Sequence, residues 1–330
     1  MKRALLLLLL LLTTPAFAIE IQKVDLATID DDAIELAAPV WNGADAGPIL
    51  VGKFESSFDR KVASKLASGF RNAMIPSYTV ATDLDLGEVL AAALRSEGTK
   101  LGLTMMAPQE GKAPQWTVDG TIRDAKIDIQ HMGYGSLLLY TYLDVDVRVT
   151  KAGEQPVTHR VQPARLFVMY QGGMGMGDEV RSSLEKILLV GTHQILARLN
   201  REHFRAPVLP AVEAKLAGLK KVTDQEGDLH AIGVAGAPGA GAALAARLEK
   251  ENDENARTSI VYALTSLGAA EHVPLLARRF AAEDDDVRYA TVIALANAGT
   301  PEALALIREK GLKDKTVVIR KLSERLLSGR

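Results

Sequence analysis

Glycine and methionine crowd together at Gly172, Gly173, Met174, Gly175, Met176 and Gly177, between a strand-like run ending at Tyr170 and a helix-like run that follows. Glycine at such a junction cradles phosphate when it keeps Gly-x-Gly-x-x-Gly spacing inside a βαβ unit. Counted from Gly175, the third glycine position is Val180, and no Lys-Ser or Lys-Thr pair follows. A nucleotide site therefore fails on spacing. Met169, Met174 and Met176, with Met132 beside His131 on a second glycine-rich loop, carry soft donors suited to copper(I). Methionine fills cores and apolar contacts equally well, so both roles stay open. The histidines His131, His159, His193, His203, His230 and His272 include no pair four residues apart and no His-Glu-x-x-His, which argues against a zinc hydrolase. No Gly-x-Ser-x-Gly elbow occurs, and the carboxylates sit on solvated faces where no glycosidase pair can be named. No cysteine is present, so disulfides, thiolate metal sites and a lipidated cysteine are excluded. The sequence reads as a non-enzyme that needs no cofactor.

The chain that must position these residues has 330 of them, 48% hydrophobic and 24% charged, enough for two globular domains. A formal charge of -2 argues against nucleic acid as the main partner. Lys2 and Arg3, the apolar residues 4–12 and the small-x-small triplet Ala16, Phe17 and Ala18 form the pattern of a secretory signal, cleaved between Ala18 and Ile19. The apolar run is too short to span a membrane, and no later segment reaches 18 apolar residues. A periplasmic or secreted protein without a lipid anchor is expected, with no transmembrane span in the mature chain.

Residues 19–206 carry alternating strand and helix patterns. Residues 19–44 read as an acidic lead-in, with Asp30, Asp31 and Asp32 as a solvated run. Residues 48–54 predict a strand, and the spacing over 58–70 predicts an amphipathic helix. Leu86, Val89, Leu90, Ala93 and Leu94 mark a firmer helix, opened by Asp85 with Glu88 and stopped by Gly98. Trp116, Val118 and Ile122 alternate on one parity and Ala125, Ile127 and Ile129 on the other, which predicts a bulge near Arg123 and Asp124. Leu143, Val145, Val147 and Val149 alternate with polar residues, and Pro163 interrupts the return strand. Val180, Leu184, Ile187, Leu188, Gly191, Ile195 and Leu199 give a closing helix, with Asp178 at its N-cap. The order describes an α+β domain, a mostly antiparallel sheet with two helices on one face.

From residue 207 the composition turns alanine-rich and the pattern purely helical. Arg257, Val261, Leu264, Leu267 and Gly268 recur 31 residues later as Arg288, Val292, Leu295, Ala298 and Gly299. Leu229, Ile232, Ala235, Gly236 and Leu244 occupy the matching places upstream. Repetition at a fixed period marks an all-α solenoid of stacked helix pairs. These residues resemble HEAT repeats of the short, phycobilin-lyase-like type. The resemblance implies that Arg257 and Arg288 pair with acidic loops of neighbouring units. Residues 48–200, through Phe58-Asp59-Arg60, the helix from Leu86, the Val118-Asp119-Gly120 strand and the strand from Leu143, resemble bacterial envelope lipoproteins that serve as auxiliary components of ABC transporters, though their lipidated cysteine is missing.

Together these features describe an exported adaptor. The lipoprotein-like domain would dock one envelope component, outer-envelope components included, and the repeat domain would offer a concave face to a protein partner. The alternative is a periplasmic carrier of a small molecule, lipid or copper on the glycine and methionine loops.

Overall fold

A computed structural model of the chain describes residues 17–26, 29, 31–58, 61–65, 78–107, 113–133, 136–170, 176–219, 226–268 and 270–328. The apolar run at residues 4–12 lies outside them. Alternating apolar residues build the sheet around two long central strands, β6 (Trp116–Gly133) and β7 (Ser136–Lys151), paired antiparallel. Two shorter strands, β2 (Ile49–Ser56) and β3 (Lys61–Lys65), lie end to end along β6, both parallel to it. On the other flank, β8 (Val157–Val161) and β9 (Ala164–Tyr170) divide β7 between them, with Pro163 at the break. β4 (Tyr78–Thr82) joins β3 to β1 (Phe17–Ile21), and β5 (Met105–Met106) adds to β2.

The sheet is therefore mixed rather than mostly antiparallel. The cause is a crossover: α1 (Leu86–Lys100) packs on β2, and the chain returns in the same direction, with β5 on one edge of β2 and β6 on the other. Residues 61–65 are strand, not helix, because Val62 and Ala63 are buried against the parallel edge of β6. Asp85 caps α1 by accepting from the backbone N–H of Gly87 and Glu88, at 2.9 and 3.3 Å. Gly98 does not stop that helix. A Cβ there would lie 2.7 Å from Met105, so the glycine admits β5 against the helix instead. The expected bulge is at Arg123, where the β6–β7 register shifts.

The second helix, α2 (Met176–Leu199), starts two residues before Asp178, which lies in its first turn and not at the N-cap. It is buried on nearly every side, so no single stripe describes it. One side meets the sheet, where Gly191 faces Leu143. The other meets the C-terminal helices. The lead-in is also part of the fold: Ile34, Leu36, Val40 and Trp41 are buried, and Asp31 pairs with Lys186 at 2.7 Å.

After a π-helical turn (Asn200–Phe204), α3 (Pro210–Gly218) leads to the helical half: α4 (Glu226–Ala235), α5 (Ala240–Lys250), α6 (Glu254–Leu267), α7 (Val273–Arg279), α8 (Asp285–Ala298), α9 (Pro301–Leu306) and α10 (Val317–Leu327). The recurring glycines end α4, α6 and α8 in left-handed conformation, at φ 70° for Gly236, 63° for Gly268 and 65° for Gly299. Prolines begin α7 and α9, and α4, α6 and α8 stack in order.

Candidate functional site

Each repeat divides into an inner helix, from the row α4, α6 and α8, and a shorter outer one, from the row α5, α7 and α9. The inner helices are buried nearly all round, from Leu229 to Ala235, Ser259 to Ser266 and Val287 to Ala296. The outer helices expose Ala242, Ala246, Glu249, Arg278, Glu302 and Ala305. Inner helices become this dry only when something covers both sides.

The covering surface is the α+β domain. Trp41 Nε1 donates to Ala235 O at 3.0 Å, and Arg201 donates to Ser266 O at 3.1 Å. Along the sheet edge, the outward N–H of Leu166 in β9 donates to the Tyr262 hydroxyl at 3.1 Å, and Asn297 donates to Gln162 O at 3.3 Å. Tyr289 reaches over the edge to Thr141 O at 3.2 Å, its ring 5.2 Å from that of Tyr140. Burial pushes the Tyr262 hydroxyl up to about 12, although Arg165, stacked 4.9 Å from its ring, pulls the other way. The repeat helices thus supply the partners that an edge strand lacks. The face expected to meet a foreign protein is occupied by the chain's own sheet. Tyr262→Phe leaves the part-buried Leu166 N–H unpaired, and is expected to lower unfolding stability by about 1–2 kcal/mol in urea titration.

Loops between units are locked by ion pairs. Arg257 lies 2.9 Å from Glu283 and 2.7 Å from Asp284. Arg288, buried with Asp314, reaches both carboxylate oxygens of that residue at 2.8 and 3.1 Å and also Asp285 at 2.8 Å.

Histidines meet in two places, each with a glutamate. In the seam between the halves, His193 Nε2 lies 3.0 Å from Glu97 and its Nδ1 lies 3.0 Å from His230 Nε2. Burial, the largest influence, holds both imidazoles below their usual range, His230 well below it. At the end of α2, His159 Nε2 and His203 Nε2 are 2.6 Å apart, and His159 Nδ1 is 3.3 Å from Glu202. This second group borders a cleft of about 410 Å³ lined by Trp116, Lys151, Glu154, Val157, His203 and Arg205. Among the described residues it is the group of His and acidic side chains close enough to share one metal ion. Sequence spacing gave no hint of either meeting, since 44 residues separate His159 from His203 and 37 separate His193 from His230. Met174 lies outside the described residues, as do the side chains of Met132, Met169 and Met176. A further cleft of about 650 Å³ between the lead-in, α3 and α4 is rimmed by Asp32, Glu35, Glu226 and Asp228.

Residues 241–328 match the family model for HEAT repeats. HEAT repeats generally mediate protein–protein interaction or act as scaffolds, and the match spans α5 to α10. No curated protein matches the chain. Among solved structures, a Xanthomonas campestris protein of the family model DUF330 shares 9% identity at a TM-score of 0.35, covering 55% of this chain and 92% of its own. An uncharacterized protein shares 13% identity at a TM-score of 0.26, covering 49% of this chain and 97% of its own. Likenesses at these scores carry no argument. No helix among the described residues is long and apolar enough to cross a membrane.

Proposed function

We propose that the protein is an exported, non-enzymatic scaffold of the bacterial envelope that holds a protein partner on the outer row of its HEAT array. The observation that carries this reading is the division between the two helix rows: the inner row is sealed onto the α+β domain, and the outer row is left exposed. Among the described residues the large exposed hydrophobics are Val157 and Val317, so the outer row presents small and charged side chains without a large apolar patch. Interfaces of that kind suit exchangeable rather than permanent complexes. The signal pattern at residues 2–18 supports export to the periplasm or the cell exterior. Cleavage after Ala18 would leave Ile19 to Ile21 as the remaining part of β1, with Thr82 still donating to Ile21 O at 3.0 Å. The likeness of residues 48–200 to envelope lipoproteins supports placement in the envelope.

Photo-crosslinking in the native host tests this. A reactive residue at Ala246 or Glu302 on the outer row should capture one protein, and the same residue at Asp119 or Arg148 on the bare sheet face should not. Capture from neither surface, or equally from both, contradicts the proposal.

A further inference from the structure

The two Glu-His-His groups have the same bonding pattern but different surroundings. In the seam, every member is enclosed between helices, and the chain Glu97, His193, His230 is complete as a set of hydrogen bonds. At the end of α2, the outermost histidine borders a cleft. His159 is buried in β8, Glu202 and His203 sit on the π-helical turn, and the cleft brings solvent to His203.

The bonding order fixes which lone pairs point where. Glu202 accepts only, so with the His159 proton on Nδ1, 3.3 Å from that carboxylate, Nε2 is a lone pair. That Nε2 faces Nε2 of His203 at 2.6 Å, inside the roughly 2.7–3.2 Å usual for a hydrogen bond from nitrogen. Two ring nitrogens converging on one point, with a carboxylate behind one of them, is the arrangement in which a carboxylate orients a metal-binding histidine. Two bonds of about 2.0–2.1 Å at a tetrahedral angle separate ligand nitrogens by roughly 3.3 Å, so the rings need part by less than about 1 Å. Arg198 holds the other Glu202 oxygen at 3.0 Å and so fixes which one faces the histidines. The Trp116 ring, 5.9 Å from the His203 ring, limits how that imidazole can turn.

We propose that His159 and His203, oriented by Glu202, form a site for a first-row divalent cation of the zinc class, with the remaining coordination positions open to the cleft. Imidazole donors favour such ions over magnesium and calcium, and the neighbouring Arg198, Arg201 and Arg205 disfavour hard cations that need several carboxylates. The ion would bridge β8 to the turn that leads into the HEAT array, a brace at the edge of the sheet. It takes the place of the proton held between the two nitrogens, which moves to Nδ1 of His203, so a neutral pair gives up no proton when the ion binds.

The test is zinc titration of the tag-free full chain by calorimetry in two buffers of different ionisation enthalpy, with Trp116 fluorescence as a second signal. One zinc per chain is expected, with the same binding heat in both buffers because a neutral histidine pair releases no proton. His159→Gln with His203→Gln should abolish that binding, Glu202→Gln should weaken it about 10- to 100-fold, and magnesium should not compete. Circular dichroism checks that each variant is folded. His203→Asn alone, at a position bordering the cleft, serves if the double variant is not. No saturable binding by the wild-type chain, or binding unchanged by the folded His203 variant, overturns the site.

Discussion

Arg288→Met is expected to lower unfolding stability by about 3–5 kcal/mol, because it strips the guanidinium partner from a buried carboxylate that keeps a bond from the Thr316 N–H. Arg288 and Asp314 are 5% and 7% exposed, and Arg288 also donates to Glu283 O at 2.7 Å. Burial raises the Asp314 carboxyl, but the bonds from Arg288 and from Thr316 N–H outweigh it and hold the group below its usual range. Without the arginine, Asp314 must either protonate or drag water into the junction of α8 and α10. Arg288→Lys should recover only part of the loss, since an ammonium cannot span two carboxylate oxygens as the guanidinium does. Arg288→Met with Asp314→Leu should recover most of it, because no buried charge is left. Urea titration of the three variants measures the effect. A loss under about 1 kcal/mol for Arg288→Met would mean that the junction is wetter than its burial implies.

Acid is expected to begin destabilising the protein before its carboxylates titrate. His193 and His230 have folded values below their unfolded ones, so above pH 6.5 both states are neutral and the full stability is present. As pH falls below 6.5 the unfolded chain takes up protons that the folded chain refuses. Stability then declines by up to about 1.4 kcal/mol per pH unit for each histidine. The charges facing this pair come from Glu97 and Lys100 on α1 and from Arg165 on β9. Glu97 adds a later loss: burial raises it, but the bond and charge of His193 hold it low, so its contribution disappears as pH falls below 4.5. Urea midpoints at descending pH should therefore show a steep decline beginning near 6.5. His230→Gln, which can still donate to His193, should flatten that decline by about 1.4 kcal/mol per unit. An unchanged slope would place the proton uptake elsewhere.

The periodic elements were legible in the chain because they repeat or alternate over many residues. Gly236, Gly268 and Gly299 announce three helix ends, and Leu143 to Val149 announces a strand with one buried face. The strand at residues 61–65 was not legible. Val62 and Ala63 are too few to show a period, and only the neighbouring edge of β6 decides their conformation. Gly98 shows the same limit: a glycine that looks like a stop is a contact surface, and only the approach of Met105 reveals it.

What the sequence determined by itself is local: the repeat period, the glycine ends of the inner helices and the alternation of the central strands, each readable within a few neighbouring residues. What only the tertiary structure decided is which surfaces remain free and which histidines meet. The inner helix row is buried nearly all round, and such a row must be covered, but nothing in its period names the cover. Docking on the β8–β9 edge does so, and it pairs Tyr262 with Leu166 and Asn297 with Gln162 across 96 and 135 residues. His159 and His203 converge for the same reason, because β8 ends beside the turn that closes α2. Contacts over such separations leave no trace in spacing, since each partner's position is set by its own element and their meeting by the packing of two elements against a third.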